Sequence, residues 1–114
     1  MKTAQTAEKK WAEPLNLPGL PNLYKVSDDL YRGAQPTSDG MNQLEKLGVK
    51  TDVNLRFVHS DKNLIKDTAL DYEHINVTSF WPRTTDVARF LKIATDKKRT
   101  PVFVHCHKGI DRAG

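Results

Sequence analysis

Pro101-Val102-Phe103-Val104 is a short unbroken apolar run, and it narrows the architecture more than any other stretch of the chain. Such a run is expected of a strand buried on both faces of a parallel sheet. It delivers the chain directly into Cys106-His107-Lys108-Gly109-Ile110-Asp111-Arg112. Upstream, helical and extended patterns alternate. Gln35 to Asp39 reads as a helix start, Met41, Leu44 and Leu47 follow at three-residue spacing, and Gly48 supplies a C-terminal cap. Residues 50–56 alternate around Val53 and Leu55 as a strand, residues 61–69 suit a short helix, and residues 72–77 suit another strand. Thr84 or Thr85 caps a predicted helix running to about Thr95, with Val87, Phe90, Leu91 and Ala94 on one face. Alternation of this kind predicts an α/β domain with a mostly parallel central sheet flanked by helices.

At 114 residues there is room for one domain. Residues 1–22 are polar and then rich in proline and glycine, and are expected to form an extended N-terminal arm. The domain then occupies 23–114, opening with a hairpin in which 23–26 and 30–32 flank the turn-prone Ser27-Asp28-Asp29.

Charged residues make up 28% and hydrophobic ones 38%, too apolar a balance for a disordered chain. A net charge of +4 suits an anionic ligand, and equally nucleic acid or a membrane surface. The basic residues are scattered, however, and the longest run, Lys97-Lys98-Arg99, reads as a solvated helix end and not as a nucleic-acid patch. The single cysteine excludes an internal disulfide and argues against a cysteine-rich zinc site. No apolar stretch approaches the ~20 residues that span a bilayer. The start of the chain shows no signal peptide, so a cytoplasmic protein is expected.

Cysteine chemistry on a phosphate ester makes specific demands. It needs backbone N–H groups converging on the phosphate oxygens, ideally ahead of a helix N-terminus. It needs a glycine where the loop turns tightly, which Gly109 supplies. A planar guanidinium must grip two oxygens at once, a task for Arg112 that lysine cannot reproduce. The same groups would lower the thiol pKa of Cys106 and yield a nucleophile at neutral pH. The competing reading of Cys106 is a buried core cysteine, and that of His105 a satisfied core histidine.

Val104-His105-Cys106-x5-Arg112 resembles the signature of protein tyrosine and dual-specificity phosphatases. Together with Leu30-Tyr31-Arg32-Gly33-Ala34-Gln35-Pro36-Thr37 and Asn54-Leu55-Arg56, it is similar to the bacterial dual-specificity-phosphatase-like branch over residues 18–114. That branch is related to atypical plant and fungal enzymes acting on phosphotyrosine or inositol polyphosphates. The resemblance implies a phosphomonoester hydrolase in which Cys106 forms a phosphocysteine intermediate. His105 would support the loop, residues 107–112 would cradle phosphate, and Arg112 would stabilise the transition state. No metal or cofactor is implied, because phosphoryl transfer asks mainly for positioning and electrostatics. The expected partner is a phosphorylated protein (on tyrosine, serine or threonine) or an inositol polyphosphate. His107 and Lys108 suit the latter, or simply face solvent.

The general acid is open. The family places an aspartate after a Trp-Pro pair, but here Trp81-Pro82 is followed by Arg83. Asp86 is one candidate, with a helix-start residue as its competing reading. Asp111 is the rival, with a loop tether as its alternative role. Asp61 is a third, more naturally a helix cap. Ala113 stands where serine or threonine usually assists hydrolysis of the intermediate. The chain stops at Gly114, where the family continues with helices, so a C-terminally truncated domain is expected. Two other functions remain in view: a phosphate-binding pseudophosphatase and, more distantly, a rhodanese-like sulfurtransferase.

Overall fold

The computed structural model describes residues 12–77 and 83–106. Among these, six strands and three helices follow one another as β1 (Glu13–Leu17), β2 (Leu20–Ser27), β3 (Leu30–Gly33), α1 (Ser38–Leu47), β4 (Thr51–Asn54), α2 (Lys62–Ile65), β5 (Asp71–His74), α3 (Thr84–Ala94) and β6 (Val102–His105). The strands form one mixed sheet in the order β1-β2-β3-β6-β4-β5. The β1–β2 and β2–β3 pairings are antiparallel, while β3–β6, β6–β4 and β4–β5 are parallel.

The apolar run becomes the central strand. Every residue of β6 is buried, with β3 on one side and β4 on the other. Phe103 enters a cluster with Leu20, Leu23, Tyr31, Met41, Leu44 and Ile65. Val102, Val104 and Cys106 enter the opposite cluster, with Val53, Leu55, Ile75 and Ile93. Each fully buried side chain of this kind contributes roughly 1.5–3 kcal/mol.

Residues 12–22, the described part of the segment expected to be an arm, are instead largely sheet. Glu13–Leu17 pairs with β2, placing Leu15 opposite Leu23 and Leu17 opposite Leu20. Pro18-Gly19 is the turn between them, with Gly19 at φ +77°, the positive value that a Pro-Gly turn takes at its glycine. The proline and glycine are therefore hairpin residues and not linker residues. Leu20 and Leu23, both buried, anchor the hairpin to the core.

Helix α1 begins at Thr37, whose Oγ1 accepts a bond from Gly40 N–H at 3.1 Å. It ends at Gly48 in the left-handed region, φ +96°. Met41 and Leu44 are buried, but Leu47 is 37% exposed. Three-residue steps fall about 60° short of a full helical turn, so the third member has rotated off the face.

A related shift occurs in α3. Ile93 is buried and Phe90 packs on the core, while Val87 and Leu91 are 43% and 52% exposed. Arg99, in the basic run, is not merely solvated: its guanidinium meets Glu73 of β5 at 2.8 Å. None of the described helices is long and apolar enough to cross a membrane.

Candidate active site

In open α/β sheets, ligand sites gather beyond the carboxyl ends of the parallel strands. Cys106 stands there, immediately after β6, and is buried. The pairing continues past the strand ends, with Leu55 N–H donating to the His105 carbonyl at 2.9 Å and Ile75 N–H to that of Asn54 at 2.9 Å.

Below the cysteine lies a buried polar cluster. Parallel register sets Asn54 beside His105 and Asp52 beside Phe103. Asp52, Asn54, Asp61 and His105 are all fully buried. One nitrogen of the His105 ring, Nδ1, is 3.0 Å from the Cys106 carbonyl oxygen. The other, Nε2, is 2.5 Å from Asp61 Oδ2 and 3.5 Å from Asp52 Oδ1. Asp61 Oδ1 accepts from Gln35 Nε2 at 2.9 Å, and Gln35 Oε1 accepts from Arg56 Nη1 at 3.0 Å. Tyr72 Oη accepts from Asp61 N–H and from Asn54 Nδ2, both at 3.0 Å. Asn54 Oδ1 in turn accepts from Arg56 N–H at 2.9 Å.

The two carboxyls behave oppositely. Burial, then the bond and the charge of Asp61, push Asp52 well above the ordinary carboxylate range. Burial also works to raise Asp61, but bonds from His105 and Asp52, the charge of His105 and the Gln35 amide outweigh it and hold Asp61 at about 2. Asp52, Asp61 and His105 are the group among the described residues with the composition of a cation site, their donor atoms lying within 4.8 Å of one another. The Nε2–Oδ2 separation of 2.5 Å is a hydrogen bond. It is too short for two ligands each about 2.1 Å from one ion.

Asp61 occupies the position preceding α2 but makes no side-chain cap, because its carboxylate turns to His105. The cap expected there is instead the partner of the signature histidine. Asp86, on α3, reaches back to the helix start: its Oδ2 accepts from Arg83 N–H at 3.1 Å and its Oδ1 from Arg83 Nη2 at 3.2 Å. The Arg83 guanidinium holds its carboxyl below the ordinary value. Asp86 is thus engaged as a helix-start residue. His107, Lys108, Gly109, Ile110, Asp111, Arg112 and Ala113 lie outside the described residues. Asp52 and Tyr72 join the site without a sequence signal, whereas Gln35 and Arg56 belong to the Gln35-Pro36-Thr37 and Asn54-Leu55-Arg56 stretches that carry the resemblance.

Replacing Asp86 by alanine is expected to cost about 1 kcal/mol through the lost cap. Since the folded carboxyl gives up its proton more readily than the unfolded one, this stabilisation is present above pH 3.8 and fades as pH falls through the lowered value. Thermal midpoints of the two proteins should therefore differ at pH 7 and converge in acid.

A family model described as DSP-PTPase phosphatase fused to NAD+ kinase matches residues 22–114. The chain belongs to this family of cysteine-dependent phosphatases. The dual specificity protein phosphatase TpbA of Pseudomonas aeruginosa is 31% identical over 118 aligned positions, covering 99% of this chain and 51% of TpbA. The TpbA crystal structure superposes with a TM-score of 0.76 at 27% identity, over 93% of this chain and 65% of that one. The catalytic core of the PP-IP phosphatase SIW14 from S. cerevisiae shares the fold, with a TM-score of 0.74 at 18% identity over 86% and 63%. The chain spans about half the length of the curated relatives it matches. Family membership sets aside the sulfurtransferase reading.

Proposed function

We propose that this domain hydrolyses phosphate monoesters, with Cys106 as nucleophile, and that aryl phosphates of the phosphotyrosine type are its preferred substrates. The observation that carries the reading is Cys106 at the carboxyl end of the central strand, its backbone carbonyl fixed by a His105 ring that Asp61 holds from behind. The thiolate attacks phosphorus, and a P–S bond forms as the ester P–O bond breaks. Arg112 and the N–H groups of residues 107–112 take the charge of the transferring phosphoryl group.

The leaving oxygen needs a proton. Asp61 is bonded to His105 and held at about 2, and Asp86 is paired with Arg83, so both are ionised at neutral pH. Because both are already engaged with other side chains, our reading gives the acid role to Asp111, together with that of the base that activates water against the phosphocysteine.

The crystal structure of a TpbA variant with pTyr supports the substrate class: TM-score 0.75, 26% identity, 90% of this chain and 62% of that one. So does Phe57, which is 57% exposed two residues past the Leu55–His105 bond. Its neighbour Val58 has φ +69°, a costly conformation for a β-branched side chain, with its N–H bonded to Asn76 Oδ1 at 2.8 Å. An exposed ring beside the site gives an aryl group a surface to stack on. Phe57→Ala is expected to raise KM for phosphotyrosine peptides several-fold, with little change for inositol hexakisphosphate. The reverse ranking would favour the polyphosphate substrate.

The deciding experiment is hydrolysis of p-nitrophenyl phosphate with and without alkylation by iodoacetamide. Loss of turnover in step with modification of Cys106, slowed by inorganic phosphate, is expected. Turnover that survives complete alkylation would refute the assignment.

A further inference from the structure

Asp52 is anomalous in the buried cluster. It is a carboxyl with no exposure, and among the described residues neither of its oxygens meets a hydrogen-bond donor. Leaving such a group ionised and unpaired is strongly unfavourable. Its polar neighbours are another carboxyl, Asp61, and the His105 ring nitrogen 3.5 Å away. Two carboxylates facing each other repel unless one of them carries a proton, which then becomes the missing donor. Asp61 is the natural acceptor, because Gln35 Nε2, at 2.9 Å, and His105 Nε2, at 2.5 Å, both approach its oxygens.

His105 is constrained in the same way. Its Nδ1 faces a carbonyl oxygen, which can only accept, and its Nε2 faces the oxygen of Asp61. If Asp61 has no proton to give, both ring nitrogens must donate. The cluster then contains a protonated Asp52, an ionised Asp61 and a doubly protonated His105, and its net charge is zero. That is the arrangement a buried site tolerates best.

We infer that Asp52 and Asp61 hold a single proton, resident on Asp52, and act as positioning residues that keep His105 doubly protonated beneath Cys106, favouring its thiolate. This rests on the proposed role of Cys106 as nucleophile. A cation adjacent in the chain, donating to the Cys106 carbonyl, stabilises the thiolate relative to the thiol. Other described groups on the packed elements do not supply this charge. His59, with Nε2 3.9 Å from Asp61 Oδ1, is pushed below its ordinary value by burial and then by Arg56. His74 Nε2 is engaged by the Arg56 carbonyl at 2.6 Å. Arg56 reaches the cluster through Gln35, and the Tyr72 hydroxyl accepts from the Asp61 N–H. Phe103 stacks on the His105 ring at 5.6 Å and adds no charge.

The pH dependence of Cys106 alkylation by iodoacetamide tests this without requiring turnover, so a protein that hydrolyses nothing can still pass or fail. Asp61→Asn removes the anion and should move the alkylation midpoint upward by about one pH unit or more. Asp52→Asn mimics the protonated carboxyl and should leave the midpoint in place. It should also raise the thermal midpoint at pH 8 and not at pH 4, because a carboxyl with a raised pKa stabilises below its unfolded value and loses that contribution as pH rises. Should Asp61→Asn fail to fold, the ring 15N shifts of His105 in the unsubstituted protein decide the matter. Two protonated nitrogens at pH 7 are expected. A neutral ring, equal shifts in the two asparagine variants, or a stoichiometric bound divalent ion would overturn the inference.

Discussion

Cys106→Ser is expected to reduce hydrolysis of p-nitrophenyl phosphate by about four orders of magnitude or more, while leaving inorganic phosphate binding nearly intact. The two side chains are close in size, and Cys106 is buried at a strand end where the His105 ring holds its carbonyl, so the substitution barely disturbs packing. What changes is ionisation. A thiol reaches the anionic form near neutral pH when a cation and a set of N–H dipoles surround it, whereas a hydroxyl in the same place does not. The measurement pairs initial rates with equilibrium titration by phosphate. A serine variant retaining a tenth of the rate would remove Cys106 from the chemistry, and one losing phosphate affinity as well would mean that the loop itself had collapsed.

Gly40→Ala should have the second large effect. A Cβ at Gly40 would overlap the carbonyl oxygen of Gly19 and crowd Leu20 Cδ2 at 3.2 Å. That carbonyl also accepts from Thr37 N–H at 3.1 Å. The methyl group would therefore push the first turn of α1 off the β1–β2 turn and strand a helix-start donor. Overpacking and a broken buried bond together amount to about 3 kcal/mol, and more if the turn cannot shift. For a domain of this size that lowers the thermal midpoint by roughly 10–20 °C. Gly48→Ala is the natural control. Unlike Gly40 it sits at positive φ, and no atom lies within 4 Å of an added Cβ, so its cost is that of the backbone alone, about 1 kcal/mol. If the two variants melt together, the contact between Gly19 and Gly40 does not hold the hairpin to the helix.

The strand that carries Cys106 is legible from Val102-Phe103-Val104, because a short run of this kind, set between a proline and a polar loop, suits a strand buried on both faces. The polar cluster is not legible. Alternation around Val53 and Leu55 suggests that Asp52 and Asn54 face water, as they would on a strand with one buried face. In an interior parallel strand the second face is covered too, so all four residues of β4 are buried. Asp61 misleads for a different reason: an aspartate before a short helix is usually its cap, and only the tertiary fold shows its carboxylate turned inward. Gln35-Pro36-Thr37, Asn54-Leu55-Arg56 and His105-Cys106 stand as three separate words in the sequence. The structure joins them, since Arg56 bonds Gln35, Gln35 bonds Asp61, and Asp61 bonds His105. The Pro18-Gly19 hairpin is hidden because proline and glycine mark linkers as readily as turns.

Residues 34–50, which include α1, connect β3 to β4, yet these two strands never become neighbours in the sheet, because β6 lies between them. During synthesis the five strands that precede β6 therefore leave the ribosome with a gap in the middle of their sheet. Without Val102–His105, β1–β2–β3 and β4–β5 share no strand pairing, and each has an unpaired inner edge of the kind that recruits stray strands. The arrival of β6 joins them and, in the same movement, brings Cys106 to its place. Closure of the sheet and the placing of Cys106 at its carboxyl end thus depend on the same four residues.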